Sequence, residues 1–205
     1  MAEKFQNKYR IPSARLKDWD YGSNAIYFVT ICTHEREHYF GGITNGKMIL
    51  NEIGELAASE WMKTPEIRPD MNLELGEFVI MPNHFHALIT IGKNNSNTGT
   101  DTMHRVSNET KLYSDAKHRV SNETKLYSDA MHRVSTFGSQ SKNLASIIRG
   151  FKSSVTINAR KINSNFAWQT RFHDHIVRDF DSCHRIEQYI QNNPGNWKND
   201  EMYEW

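Results

Sequence analysis

Met81-Pro82-Asn83-His84-Phe85-His86-Ala87-Leu88-Ile89-Thr90-Ile91 carries two signals at once, a His-x-His pair and a β-type run. On a strand, residues two apart share a face, so His84 and His86 aim two imidazoles at one point while Phe85 packs on the opposite face. Two imidazoles on a rigid element are half of a divalent-metal site. They are equally two polar residues on the exposed face of a half-buried strand. Taken alone, the pair leaves both readings open.

Working outward, Pro82-Asn83 has the chemistry of a tight connection, so Leu73 to Ile80 is expected as the antiparallel partner of the His-bearing strand at 84–91. Ala25 to Thr33, rich in β-branched and aromatic residues, predicts a core strand. Gly41-Gly42 and Asn45-Gly46 punctuate a hairpin that ends at Met48-Ile49-Leu50. Ile53, Leu56, Ala57 and Trp61 recur at helical spacing from about Glu52 to Lys63, a segment bounded by Pro65 and Pro69. Leu144, Ile147, Ile148, Phe151, Val155, Ala159 and Ile162 form a second helical stripe between Asn143 and Ile162. Trp168 to Arg178 alternates and is aromatic, which predicts the last strand or an extended segment; it holds a second His-x-His, His173 and His175. A final helix is expected from a cap at Asp181 or Ser182 to about Asn192, closed by Pro194-Gly195, with Cys183, Ile186 and Ile190 on its buried side.

At 205 residues the chain suits one domain, read as 24–205 behind a basic arm over 1–23. Hydrophobic content is 38% and mean hydropathy −0.71, and no apolar run approaches the ~20 residues of a membrane span. Met1 to Arg10 lacks the apolar core of a secretory signal, and Cys32 and Cys183 make neither a disulfide framework nor a Cys-x-x-Cys zinc pattern. A cytoplasmic protein with reduced thiols is therefore expected. The net charge of +1 hides an asymmetry: from Lys142 to Arg178 seven Lys/Arg face one acid, Asp174. The arm adds Lys4, Lys8, Arg10, Arg15 and Lys17 against Glu3 and Asp18. Local basic patches of this kind are compatible with a phosphate backbone, although a solvated basic face is the commoner explanation.

Residues 93 to 140 break the pattern. Met103 to Ala116 recurs at 117–130 with Lys117 in place of Met103, and a third copy begins at Met131-His132-Arg133-Val134-Ser135 before diverging. The 14-residue period is too short and too polar for a solenoid, whose units need ~20 to 50 residues. Near-identical copies indicate a recent tandem duplication inside a tolerant surface loop. His104, His118 and His132 recur with it, but such spacing in a loop builds no preorganised metal site.

Tyr189 projects beside the apolar stripe of the last helix, one turn from Arg185 and one from Asn193. A tyrosine there is ordinarily a core-edge residue. A phenol of pKa about 10 attacks poorly unless an acceptor or a cation activates it. A metal on His84 and His86 would polarise a phosphate while Tyr189 attacks, and Asn193, four residues on, would bring an amide oxygen as third ligand. Asn193 precedes Pro194, which places it at a frayed helix end.

Tyr-Phe-Val-Thr at 27–30, Met-Pro-Asn-His-Phe-His at 81–86, Trp-Gln at 168–169, His-Asp-His-Ile-Val-Arg at 173–178 and Tyr-Ile-Gln-Asn-Asn-Pro at 189–194 together resemble the single-tyrosine HUH transposases. Within these the chain looks most like the REP-associated tyrosine transposases, an IS200-like group. The resemblance covers about residues 20 to 198 apart from the repeat. It implies an α+β, ferredoxin-like sandwich with a central antiparallel sheet and helices on one face, plus the loop insertion. It implies His84 and His86 as metal ligands for Mg2+ or Mn2+, Asn193 as the further ligand and Tyr189 as nucleophile. His173 and His175 are expected to serve a structural role or to support the ligands from behind rather than bind metal directly. Arg149, Lys152, Arg160, Arg171, Arg178 and Arg185 are the cations expected on DNA.

The implied reaction is nicking of single-stranded DNA beside a hairpin, through a 5′-phosphotyrosine and a free 3′-hydroxyl, then rejoining. The implied partner is a REP-like or element-end palindrome, for a monomer or a homodimer, with a nucleoid location and no membrane. Two other classes fit the residues: a domesticated hairpin-binding protein that no longer cleaves, and a metal-dependent nuclease that uses water. Deleting residues 103–130, two copies of the repeat, is expected to leave the fold intact. A large fall in melting temperature would count against the loop assignment.

Overall fold

A computed structural model of the chain describes residues 4–5, 8–9, 16, 19–97 and 141–200. The repeated copies at 103–130, most of the arm and the last five residues lie outside these.

The first strand of the main sheet, β1 (Ala25–Cys32), is followed by a small hairpin of β2 (Gly41–Thr44) and β3 (Lys47–Leu50). Asn45 and Gly46 turn that hairpin at φ 51° and 71°, the left-handed pair that the Asn-Gly sequence announces. Helix α1 (Glu52–Met62) starts at Asn51, whose side chain accepts from the Ile53 and Gly54 amides. Pro65 sits inside a further helical turn, Thr64–Ile67, because the first turn of a helix tolerates a missing N–H. Strands β4 (Leu73–Ile80) and β5 (His84–Ile91) follow, then α2 (Leu144–Ile162), β6 (His173–Val177) and α3 (Phe180–Asn192).

The strands pair in the order β4-β5-β1-β6, every pair antiparallel. With two helical crossovers this is the ferredoxin-like β-α-β-β-α-β arrangement. A register shift between Leu75 and Phe78 restores the core-facing alternation, so Leu73, Leu75, Phe78 and Ile80 all join one cluster.

Odd-numbered residues of β1 and β5 meet α1 and α2. Tyr27, Val29, Ile31, Phe85, Ala87 and Ile89 pack there with Ile53, Ala57, Trp61, Ile147, Ile148, Phe151 and Val155. Trp61 stands at the centre, its ring 5.0 Å from Phe85 and 5.1 Å from Phe151. Helix α3 covers the second face through a smaller cluster, Leu88, Val177, Cys183 and Ile190 with Phe28, Val79 and Ile186. Its cap is Asp179, extended at φ −149° and accepting from the Ser182 amide, two residues earlier than Asp181. Ile162, assigned to the α2 stripe by spacing, is the last residue of the helix and is 44% exposed.

The two ends of the segment 98–140 meet at one place. Asn97 donates to the Gly22 carbonyl, and the Leu144 amide donates to the Tyr21 carbonyl. Among the described residues no helix is long and apolar enough to cross a membrane.

Trp61→Ala is expected to cost about 3–5 kcal/mol by opening a cavity between sheet and helices. Trp61→Phe is expected to cost much less, since the indole N–H is buried without a hydrogen-bond partner. Urea denaturation of both variants measures the difference.

Candidate active site

The strand ladder fixes the site. In the β1–β5 register Thr30 lies opposite His86 and Cys32 opposite His84, so all four share the face that α3 partly covers. Thr30 Oγ1 is 2.8 Å from His86 Nδ1, and Asn83 Oδ1 is 2.8 Å from His84 Nδ1. The asparagine oxygen can only accept, so His84 carries its proton on Nδ1 and turns a lone pair outward on Nε2. That Nε2 is buried and has no hydrogen-bond partner. The two rings stand 4.5 Å apart, and Trp197 packs 5.8 Å from His84.

Burial holds both imidazoles neutral. It is the main cause that pushes His84 well below the usual histidine range, with the neighbouring His86 and Arg36 adding to it. Burial likewise lowers His86 to about 4, partly offset by the Asp200 carboxylate and reinforced by Arg36. Neutral imidazoles are what a metal ion requires.

The last helix brings the phenol. Tyr189 Oη lies 3.2 Å from His86 Nε2, and its ring meets Phe28 edge-on. It is 45% exposed, so one side faces His86 and the other faces solvent. Asn193 continues in helical geometry at φ −57°, ψ −45° despite the following proline, and is buried. Its Nδ2 donates to Asp200 Oδ2 at 2.9 Å, while its Oδ1 is buried without a partner. Asp200 therefore joins the pair: one ligand atom each from His84, His86 and Asp200 lie within 4.8 Å of one another. Two neutral imidazoles, one of them with an unpartnered nitrogen, one carboxylate and an orphaned amide oxygen are a donor set whose chemistry fits a divalent cation.

The chain brings Tyr189 against His86, and brings Asn193 beside the His84/His86 pair through Asp200. His173 pairs opposite Thr30 and His175 opposite Phe28, so both lie on the site face, exposed, one strand beyond the His84/His86 pair. Arg171, Arg178 and Arg185 are exposed; Arg149 is exposed on α2, which packs on the other face of the sheet. Lys152 and Arg160 reach from α2 to the connector, Lys152 Nζ to the Gln169 and Arg171 carbonyls and Arg160 Nε to the Phe166 carbonyl. Sequence reasoning missed Asp200, Thr30 and Asn83. Period-two counting from the buried Tyr27 would have put Thr30 on the site face. Asp200 had only the signal of an acid just beyond the helix stop.

The fold is shared with a tyrosine transposase of known structure. A solved REP-associated tyrosine transposase bound to a REP hairpin superposes with a TM-score of 0.50 at 15% identity, covering 90% of this chain and 73% of that one. The chain belongs to the same family as an uncharacterized protein of Haemophilus influenzae (strain ATCC 51907 / DSM 11121 / KW20 / Rd), to which it is 34% identical over 192 residues, 93% of this chain and 92% of the relative. No family model matches the chain.

The depressed histidines tie stability to pH. The unfolded chain protonates His86 near 6.5 and the folded one near 4, so between these values the unfolded state binds more protons. In chelator, stability is expected to be full above about pH 6.5 and to fall as pH drops towards 4, by on the order of 3 kcal/mol for His86 at about 1.4 kcal/mol per pH unit. Denaturant titrations from pH 7.5 to 4.5 test this; a flat profile refutes it, and His86→Gln should remove part of the slope.

Proposed function

We propose that the chain is a metal-dependent DNA strand transferase that nicks and rejoins single-stranded DNA beside a hairpin through Tyr189. The observation that carries this reading is the phenol oxygen 3.2 Å from His86 Nε2, beside a second imidazole nitrogen that is buried and unpartnered. The fold shared with a transposase bound to a REP hairpin supports a DNA hairpin as partner.

His84, His86 and Asp200, with the Asn193 amide oxygen, would hold the metal. A cation bound there supplies Lewis-acid polarisation of a phosphoryl oxygen. The mixed nitrogen and oxygen donors suit Mn2+, and Mg2+ with more of its shell left to water and phosphate. Thr30 and Asn83 set the ring orientations, and Asn193 holds the Asp200 carboxylate. Tyr189 Oη attacks phosphorus: the Oη–P bond forms, the P–O3′ bond breaks, the phenolic proton passes to solvent on the exposed side of Tyr189 and the departing 3′-oxygen takes up a proton from solvent. The resulting phosphotyrosine is an ester of the same kind as the linkage it replaces. Reverse attack by a 3′-hydroxyl therefore rejoins DNA without an external energy source. The exposed side of Tyr189 gives DNA access.

A labelled hairpin-flanked single strand incubated with Mn2+ or Mg2+ is expected to give a covalent protein–DNA adduct that chelator and Tyr189→Phe both abolish. Cleavage that survives Tyr189→Phe would point to a water-using nuclease, and binding without cleavage to a DNA-hairpin-binding protein.

A further inference from the structure

We propose that Arg36 forms an anion subsite beside the two-histidine centre and holds a non-bridging oxygen of the phosphate that Tyr189 attacks. The identity of that phosphate rests on the strand-transfer reading; the anion subsite rests on the geometry of Arg36 alone.

The turn that bears Arg36 hangs from the same residue as His84. The Thr33 amide donates to the Asn83 carbonyl at 2.9 Å, and the single Thr33 hydroxyl proton is shared between the Asn83 and Glu37 carbonyls, at 2.9 and 2.8 Å from Oγ1. Asn83 then presents its side-chain oxygen to His84 Nδ1. A rigid polar bracket thus fixes the turn relative to the imidazoles. Within it, Glu35 at φ 51° and Arg36 at φ 58° occupy the left-handed region in succession. Neither is glycine, and such conformations cost roughly 1–2 kcal/mol each unless the surroundings enforce them.

The strained turn sends the guanidinium back over the sheet. Arg36 Nη1 lies 2.7 Å from Cys32 Sγ, and Cys32 is the direct ladder partner of His84 on the site face. A thiol is a weak acceptor, and the guanidinium has five N–H donors. Among the described residues no carboxylate lies within ion-pair distance of Arg36, although Asp200 is close enough to act on His86 and Cys32. Arg36 is close enough to help keep both histidines neutral, second to their burial. A half-buried cation with idle donors, beside a site shaped for a divalent metal, leaves positive charge for an anion to match.

The chemistry gives that charge a use. In phosphoryl transfer, negative charge spreads over the equatorial oxygens, and preorganised donors on those oxygens lower the barrier. Arg36 adds no bond-making of its own; its N–H groups donate to an oxygen that remains on phosphorus throughout. The planar fork suits two such bonds, which a lysine cannot reproduce.

Arg36→Gln and Arg36→Lys are tested in the full chain by two measurements. The first is single-turnover adduct formation on DNA with an ordinary scissile linkage and on DNA with a neutral methylphosphonate there. Arg36→Gln is expected to slow the ordinary substrate by about 100-fold or more, with only partial recovery in Arg36→Lys, and to slow the methylphosphonate far less. The second is binding of inorganic phosphate to the metal-free protein, followed by its 31P signal, expected to weaken several-fold in Arg36→Gln. Equal rate losses on both DNAs with unchanged phosphate binding assign Arg36 a structural role and overturn the proposal, as do unchanged rates. If the wild type forms no adduct, the strand-transfer reading fails by itself. Phosphate binding then decides alone: weakened binding sustains the anion subsite and unchanged binding ends it.

Discussion

The antiparallel register between β1 and β5 is the constraint on which the rest of the molecule depends. It sets Thr30 against His86 and Cys32 against His84, and by the same alternation sends Ile31 and Phe85 into the core. A slip of one residue would turn every side chain to the wrong face, carrying both imidazoles among the apolar helices. The apolar set of Tyr27, Val29, Ile31, Phe85, Ala87 and Ile89 therefore does more than build a core. By holding the register it aims the polar residues on the other side of the same strands.

The two faces of the sheet are built to different standards. Against α1 and α2 the packing is deep and aromatic. Against α3 it is a small cluster, and beyond it polar atoms are buried without partners: His84 Nε2 and Asn193 Oδ1. An orphaned polar atom costs stability, and the two residues that carry these atoms both lie beside one carboxylate, Asp200. Trp61 Nε1 and Trp168 Nε1 are also unpartnered, but they are donors, useless to a cation. The chemistry of the orphaned atom separates a ligand site from an ordinary packing compromise.

Much of this was legible in the chain. Strand bounds at Leu73–Ile80 and His84–Ile91 followed from alternation between strong punctuation, and the Asn-Gly turn and the α2 stripe followed from local chemistry. The partnership of Tyr189 with the histidines was suggested by the chemistry of a metal-assisted phenol and sharpened by resemblance, and the structure puts the phenol in hydrogen-bond contact with His86. The rest depends on tertiary placement that no local pattern encodes. Asp200 matters only because the turn Trp197–Asn199 brings it back to Asn193. Asp179 outcompetes Asp181 as cap because its backbone is extended where β6 ends. Arg36 reads as one more surface arginine until a left-handed turn points it at Cys32.

The joined ends of the inserted segment change the topological distance across the site. Tyr189 and His86 are 103 residues apart along the chain. Asn97 and Leu144 both fasten to the Tyr21–Gly22 backbone, so the chain between them is short-circuited with respect to the contact between Tyr189 and His86. Closing a loop costs only about 0.6 kcal/mol per doubling of length, and here that cost falls on the Tyr21–Gly22 junction instead of on the contact between phenol and imidazole. Replication slippage could add or remove whole copies of the repeat in frame, and the entropy of assembling the reactive pair would not register the change.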